Sequence, residues 1–116
     1  MRAWLRCRAW LLPALARDGG DEADLLADLI SGQAQLWPGE GAAMVTQCVD
    51  DADGRCLHVW LAGGSLSEIM RMRPGVEAWA RRRGCARVTI DGRAGWGRVL
   101  RPFGYAQVGC ELQRRL

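Results

Sequence analysis

Trp4, Cys7, Leu11 and Leu15 recur at i, i+3, i+7 and i+11, a stripe that runs down one side of a helix. This spacing predicts an N-terminal helix that kinks or restarts at Pro13, whose missing N–H and bulky ring disrupt the preceding turn. "RDGGD" then punctuates the chain. Asp21 is placed to cap a second helix, with Leu25, Leu26, Leu29 and Ile30 as its buried face and Gly32 as its stop.

The period next changes from 3.6 to 2. "GAAMVTQCVD" and "RCLHVWLA" alternate, and "DDADG" between them has turn chemistry, so they predict an antiparallel hairpin. The acidic turn is not a calcium loop: Val49 stands where an EF-hand needs an acid, and no Glu follows at the required distance. Ser65 and Glu68 form an S-x-x-E capping box that opens a longer helix. Leu66, Ile69 and Met70 face inward before Pro74, where a break or kink is expected, and Val76, Trp79 and Ala80 do so after it. Arg81, Arg82 and Arg83 close that helix, where cations complement its dipole. "CARVTI" reads as a third strand, "AGWGRVLRPFG" as a short helix or turn, and "YAQVGCELQRRL" as a last strand.

A strand that follows a long helix implies a crossover and hence a parallel pair. The fold class is therefore α/β (α+β): a mixed sheet of about four to five strands with helices packed on it. No linker, repeat or low-complexity tract divides the sequence, so residues 1–116 read as one domain with 1–20 as an N-terminal helical segment. A chain of 116 residues buries roughly 65% of its unfolded surface and folds without staples.

Composition narrows the function classes. No run of 18 apolar residues is present to span a bilayer, which excludes a transmembrane reading. "MRAWLRCRAWLLPALA" imitates a signal peptide, but its apolar run is short and contains Pro13. Five cysteines, an odd number with no C-x-x-C pair, give no zinc pattern and read as reduced, mostly buried thiols. Reduced thiols point to a cytoplasm-like setting.

All 16 basic residues are arginine, the mark of a GC-rich coding sequence. Residues 1–65 hold five arginines against nine acids, and residues 66–116 hold eleven against four. The basic half could meet nucleic acid through Arg81, Arg82, Arg83, Arg87, Arg93, Arg98 and Arg101, although no helix-turn-helix or zinc pattern accompanies them.

The order of elements, with "WARRRGCARVTI" and the closing "RVLRPFGY", resembles the GNAT N-acetyltransferase fold with its first strand missing. More closely, "GQAQLWPGEGAAMVTQ", "LHVWLAGG" and "EAWARRRGCARVTIDGRAGW" are similar to a family of small phage and prophage proteins with a GNAT-like fold. The resemblance runs from about Asp21 to the C-terminus and implies where cofactor and acid would sit. GNAT enzymes hold the acetyl-CoA pyrophosphate on an R/Q-x-x-G-x-G/A loop at a helix N-terminus. The matching place reads Ala62-Gly63-Gly64-Ser65-Leu66, without the leading Arg or Gln, which makes Gly63, Gly64 and Ser65 the cofactor-binding candidates.

GNAT enzymes also show N-x-x-A-x-x-x-Y-x-x-x-G-F, whose Tyr is the general acid. Aligned on Gly104 and Tyr105, this chain has Leu100 at the acid position, Trp96 at the small residue and Arg93 at the Asn. Leucine cannot donate a proton, and Trp96 is expected to fill space that the cofactor's arm needs. The candidates for a general base are Glu40 and His58. No metal site is expected, nor a cofactor, except acetyl-CoA if the chain is enzymatic.

The resemblance with its motifs missing implies a non-catalytic module of phage or prophage type. Its expected work is protein interaction, self-association, or virion assembly or packaging. The alternative is an acyl-CoA-dependent N-acetyltransferase with an atypical cofactor loop. Arg93, Trp96 and Trp37 are the interaction candidates; Trp37 and Trp96, flanked by Pro and Gly, are the tryptophans expected to be exposed.

Overall fold

In the computed structural model, which describes residues 2–91 and 96–116, the order of elements is α1 (Arg2–Asp18), α2 (Glu22–Ser31), β1 (Ala34–Pro38), β2 (Ala42–Asp51), β3 (Gly54–Gly64), α3 (Leu66–Arg82), β4 (Arg87–Asp91), α4 (Trp96–Leu100), a 3₁₀ turn (Arg101–Phe103), β5 (Ala106–Val108) and β6 (Glu111–Arg115). The six strands form one mixed sheet in the order β1-β2-β3-β4-β6-β5. Only β3 and β4, joined through α3, run parallel; the other neighbours are antiparallel. This is the expected α+β class with one strand more than the four to five anticipated. The last stretch, read as one strand, folds back on itself at Gly109 (φ 61°) to give β5 and β6.

Helices cover both faces. The stripe Trp4, Cys7, Leu11 and Leu15 is buried, together with Leu25, Val45 and Leu61, under α1 and α2. On the other face α3 covers Met44, Leu57, Val59, Val88, Ile90 and Leu112. Neither interior proline ends its helix: α1 runs through Pro13 and α3 through Pro74. An interior proline costs about 3 kcal/mol, and each helix offsets that by burying apolar residues on both sides of it, Leu11 and Ala14 in α1, Ile69 and Val76 in α3.

The caps form as sequence chemistry dictates. Asp21 accepts from the Ala23 N–H at 2.7 Å, and Gly32 (φ 86°) ends α2 in the left-handed conformation. Two assignments are corrected. Ile30 is 78% exposed and Leu66 is 40% exposed, because each helix contacts the sheet through a stripe narrower than its apolar face. The capping box of α3 is only half made. Ser65 Oγ accepts from the Glu68 N–H, but the Glu68 carboxylate turns instead to the β1–β2 turn, where it accepts from Glu40 N (2.8 Å) and Gly41 N (2.5 Å).

No helix among the described residues is long and apolar enough to cross a membrane. All five cysteines are free; Cys7, Cys56 and Cys85 are buried, while Cys48 and Cys110 are exposed.

Candidate functional site

β3 and β4 pair from Cys56–Arg87 to Val59–Ile90, and there the parallel ladder stops. β3 continues five residues to Gly64, whereas β4 ends at Asp91, still paired with β6. Two neighbouring parallel strands thus part, and the gap between them is lined by Val59, Trp60, Ile90, Asp91 and Trp96. Above it lies a cleft of about 420 Å³ between α1 and the start of α3, bordered by Trp10, Arg17, Gly63, Gly64 and Trp96. Below it, inside the core, is a small void of about 20 Å³ bordered by Met70, Glu77, Leu100, Tyr105 and, again, Trp96. The half-buried Trp96 side chain stands where all three spaces meet.

The sequence singled out Gly63, Gly64 and Ser65 as a cofactor loop; the structure makes Gly63 and Gly64 the last two residues of β3, paired with Ala43 and Ala42. Their lack of a side chain has a packing cause. A Cβ on Gly63 would lie 2.0 Å from the Trp10 carbonyl oxygen of α1, and one on Gly64 (φ 95°) would lie 2.4 Å from the Gly41 oxygen. The Ser65 N–H is already donated to the Gly41 oxygen at 2.9 Å. Arg17, which sequence reasoning did not select, is the cation among the described residues that line this cleft.

The acid-bearing segment of the resemblance ends in the core. Leu100 is buried at 3% exposure, and Tyr105, also 3% exposed, donates its phenol hydrogen to Glu77 Oε2 at 2.7 Å. Burial, then that hydrogen bond and the Glu77 charge, push the phenol above its ordinary range.

Glu77 is itself only 2% exposed. Arg73, one turn earlier on α3, donates to both of its oxygens (2.6 and 2.8 Å), and Arg114 of β6 donates to Oε1. Arg73 also lies 4.2 Å over the Phe103 ring. A buried carboxylate thus joins α3, the turn after α4, and β6, with every oxygen bonded to a donor.

His58 and Glu40 are not brought together. Glu40 sits in the β1–β2 turn, while His58 pairs with Gln47, five residues along β2 from Ala42, about 17 Å away at strand rise. His58 Nδ1 is 2.8 Å from Thr89 Oγ1, and Cys56 Sγ is 3.5 Å from the same hydroxyl. Gln47, His58, Thr89 and Gln113 form one polar row across β2, β3, β4 and β6. None of the spaces around Trp96 is lined by His58. Cys85 is a poor nucleophile, since burial and the neighbouring Cys48 push its thiol up to about 11.

Among the interaction candidates, Arg93 lies outside the described residues. Trp37, expected to be exposed, is half-buried: its indole N–H donates to Thr46 Oγ1 at 2.9 Å and its ring meets Trp79 edge-on at 5.7 Å. Among the arginines of the basic half, Arg81 and Arg82 end α3 and Arg83 caps it, Arg98 lies in α4 and Arg101 in the 3₁₀ turn, while Arg87 is bound to Asp51 Oδ2. No group of three or more potential metal ligands occurs among the described residues. No protein-family model matches the chain, and no curated protein or solved structure matches it.

Proposed function

We propose that this chain is a GNAT-like module that has exchanged acetyl transfer for protein contact, of the kind a phage or prophage uses in assembly or packaging. The observation that carries the reading is the position of Trp96. The resemblance puts a small residue at this position to leave room for the acetyl-CoA arm, and here an indole stands there, bordering the β3–β4 gap and the cleft and void beside it. Two further features support it. The acid position holds the buried Leu100, and the chain's only tyrosine is committed to Glu77. A side chain 3% exposed and hydrogen-bonded to a carboxylate serves the core better than a departing thiolate.

Acetyltransfer is the second reading, and the cleft of about 420 Å³ at the start of α3 favours it, with Arg17 available for a phosphate. Calorimetry with acetyl-CoA separates the two. The non-catalytic reading expects no binding tighter than about 100 μM, near −5.5 kcal/mol. Tighter binding, lost in Arg17→Ala, overturns it in favour of the enzyme.

A further inference from the structure

Arg55 fastens together two segments on the α3 face of the sheet. Its guanidinium donates to Asp50 Oδ1 near the end of β2 (3.0 Å) and to the main-chain oxygen of Arg83, the C-cap of α3 (2.9 Å). Two residues from each of these partners stands a cysteine. Cys48 precedes Asp50 on β2 and shares its face, because strand side chains alternate; Cys85 follows Arg83 at the turn into β4. Cys48 is opposite Leu57 in the β2–β3 ladder, and Leu57 and Cys85 belong to the same cluster under α3. The clamp brings the two cysteine side chains into hydrogen-bond contact, with Arg55 beside both.

The two thiols are not equivalent. Cys48 is exposed and borders the cleft of about 510 Å³ whose walls include Gln35, Asp50, Trp79 and Arg83, so a small solute reaches it from solvent. Cys85 is 6% exposed, and burial and its neighbour hold its thiol up at about 11, which makes it slow toward a dissolved electrophile. The group it is placed to meet is the sulfur against it. The other cysteines are held elsewhere: Cys7 lies under α1, Cys110 between β5 and β6, and Cys56 on the opposite face of β3 with its Sγ 3.5 Å from Thr89 Oγ1.

We infer that Cys48 and Cys85 are a redox modification site, closed to a disulfide by hydrogen peroxide and reopened by a dithiol. The Cys48 thiol gives two electrons to the peroxide, becoming the sulfenic acid as one water leaves. The Cys85 sulfur then attacks the Cys48 sulfur, the S–O bond breaks, and the hydroxyl departs with the Cys85 proton as a second water. Two thiols have together lost two electrons and two protons, and the peroxide has become two waters. An S–S bond is about 2.05 Å long, so the sulfurs must approach, and the end of β2 gives way most easily because residues 48–51 are exposed. The bond ties β2 to the α3–β4 junction across β3. In a reducing compartment such a bond is transient and sensing, not permanent. Neither sulfur lines the spaces around Trp96, so the inference stands with either reading of that site.

The test treats the full chain carrying Cys110→Ser, which removes the other exposed thiol, with hydrogen peroxide and maps its disulfides by mass spectrometry without reduction. Expected is a peptide pair joined through Cys48 and Cys85, about tenfold more abundant than any other linked pair. The linked chain should have an unfolding constant about a hundredfold smaller than the reduced one, and dithiothreitol should reverse both results. Cys48→Ser, an exposed change, abolishes the link. Cys85→Ala leaves Cys48 without a resolving partner, so peroxide carries it on to the sulfinic acid, which dithiothreitol does not reverse; a retained near-ultraviolet spectrum shows that this variant is folded. All four remaining thiols still reduced, a sulfinic acid at Cys48 while Cys85 is present, or a different predominant pair overturns the inference. So does a link that forms equally well in urea, where proximity is lost, or a linked chain whose unfolding constant is no smaller.

Discussion

Under α1 and α2 the buried cluster is apolar throughout: Trp4, Cys7, Leu11, Ala14, Leu15 and Leu25 meet Ala34, Ala43, Val45 and Leu61. Under α3 the same sheet carries a carboxylate at 2% exposure, two arginines on it, a buried phenol, and the void beside Trp96. The first layer is held by area removed from water, which tolerates change in proportion to the volume lost. The second depends on partners that must all be present, since a lone buried charge is far costlier than a paired one. The layer with the polar network encloses only the small void beside Trp96, whereas larger open spaces border α1 and α2.

The largest effect expected from breaking this contrast is at Glu77. Glu77→Ala leaves Arg73 and Arg114 facing each other without a counter-ion and should cost about 4 kcal/mol of unfolding free energy in urea titrations. The upper end of that range is not expected, because Arg114 keeps 28% of its side chain exposed. Replacing Glu77, Arg73 and Arg114 together with Leu, Met and Met should recover most of the loss. A loss under 1 kcal/mol in the single variant would mean that the network does not join α3 to β6.

Leu11→Ala probes the other layer. Leu11 is fully buried, and its truncation should cost about 3 kcal/mol through lost transfer energy and the remaining cavity. The same deletion should leave the indole environment of Trp96 unchanged, because the two residues belong to different clusters. A near-neutral result would show that α1 is only loosely held on the sheet.

The sequence made the apolar layer legible and the polar one nearly invisible. Trp4, Cys7, Leu11 and Leu15 announce their helix through periodicity alone, and Asp21, Gly32 and "DDADG" announce its neighbours through cap and turn chemistry. Glu77 went unread because a charged residue on a helix is assumed to face water. Its signal was Arg73, one turn earlier and on the same face. β1 was missed because Pro38 truncates its alternation after four residues, and β5 because only Gly109 and Cys110 separate it from β6, without an apolar run on either side. The glycine pair at 63–64 looked like ligand chemistry and is explained by two backbones in close approach. The parting of β3 and β4 follows from strand lengths that no local pattern encodes.

Tyr105→Phe is the smallest and most selective perturbation. It removes one hydrogen bond to a charged acceptor and should cost about 1.5 kcal/mol at pH 8, with Glu77 still held by both arginines. Its sharper effect is on the alkaline limb. An unfolded tyrosine ionises near pH 10, whereas in the fold burial and the Glu77 bond raise that value. Below pH 10 the phenol is protonated in both states and its stabilisation is complete; above it the unfolded chain releases the proton first, so stability falls as pH rises. Cys85, raised from 9.0 to about 11, acts in the same direction but from a lower starting point. Urea titrations at pH 8, 9.5 and 11 should therefore show the variant losing less than the parent between 9.5 and 11, with the step from 8 to 9.5 unchanged. An identical decline in both proteins over the upper interval would mean that the phenol is not shielded with Glu77, and that the second layer is wetter than its packing implies.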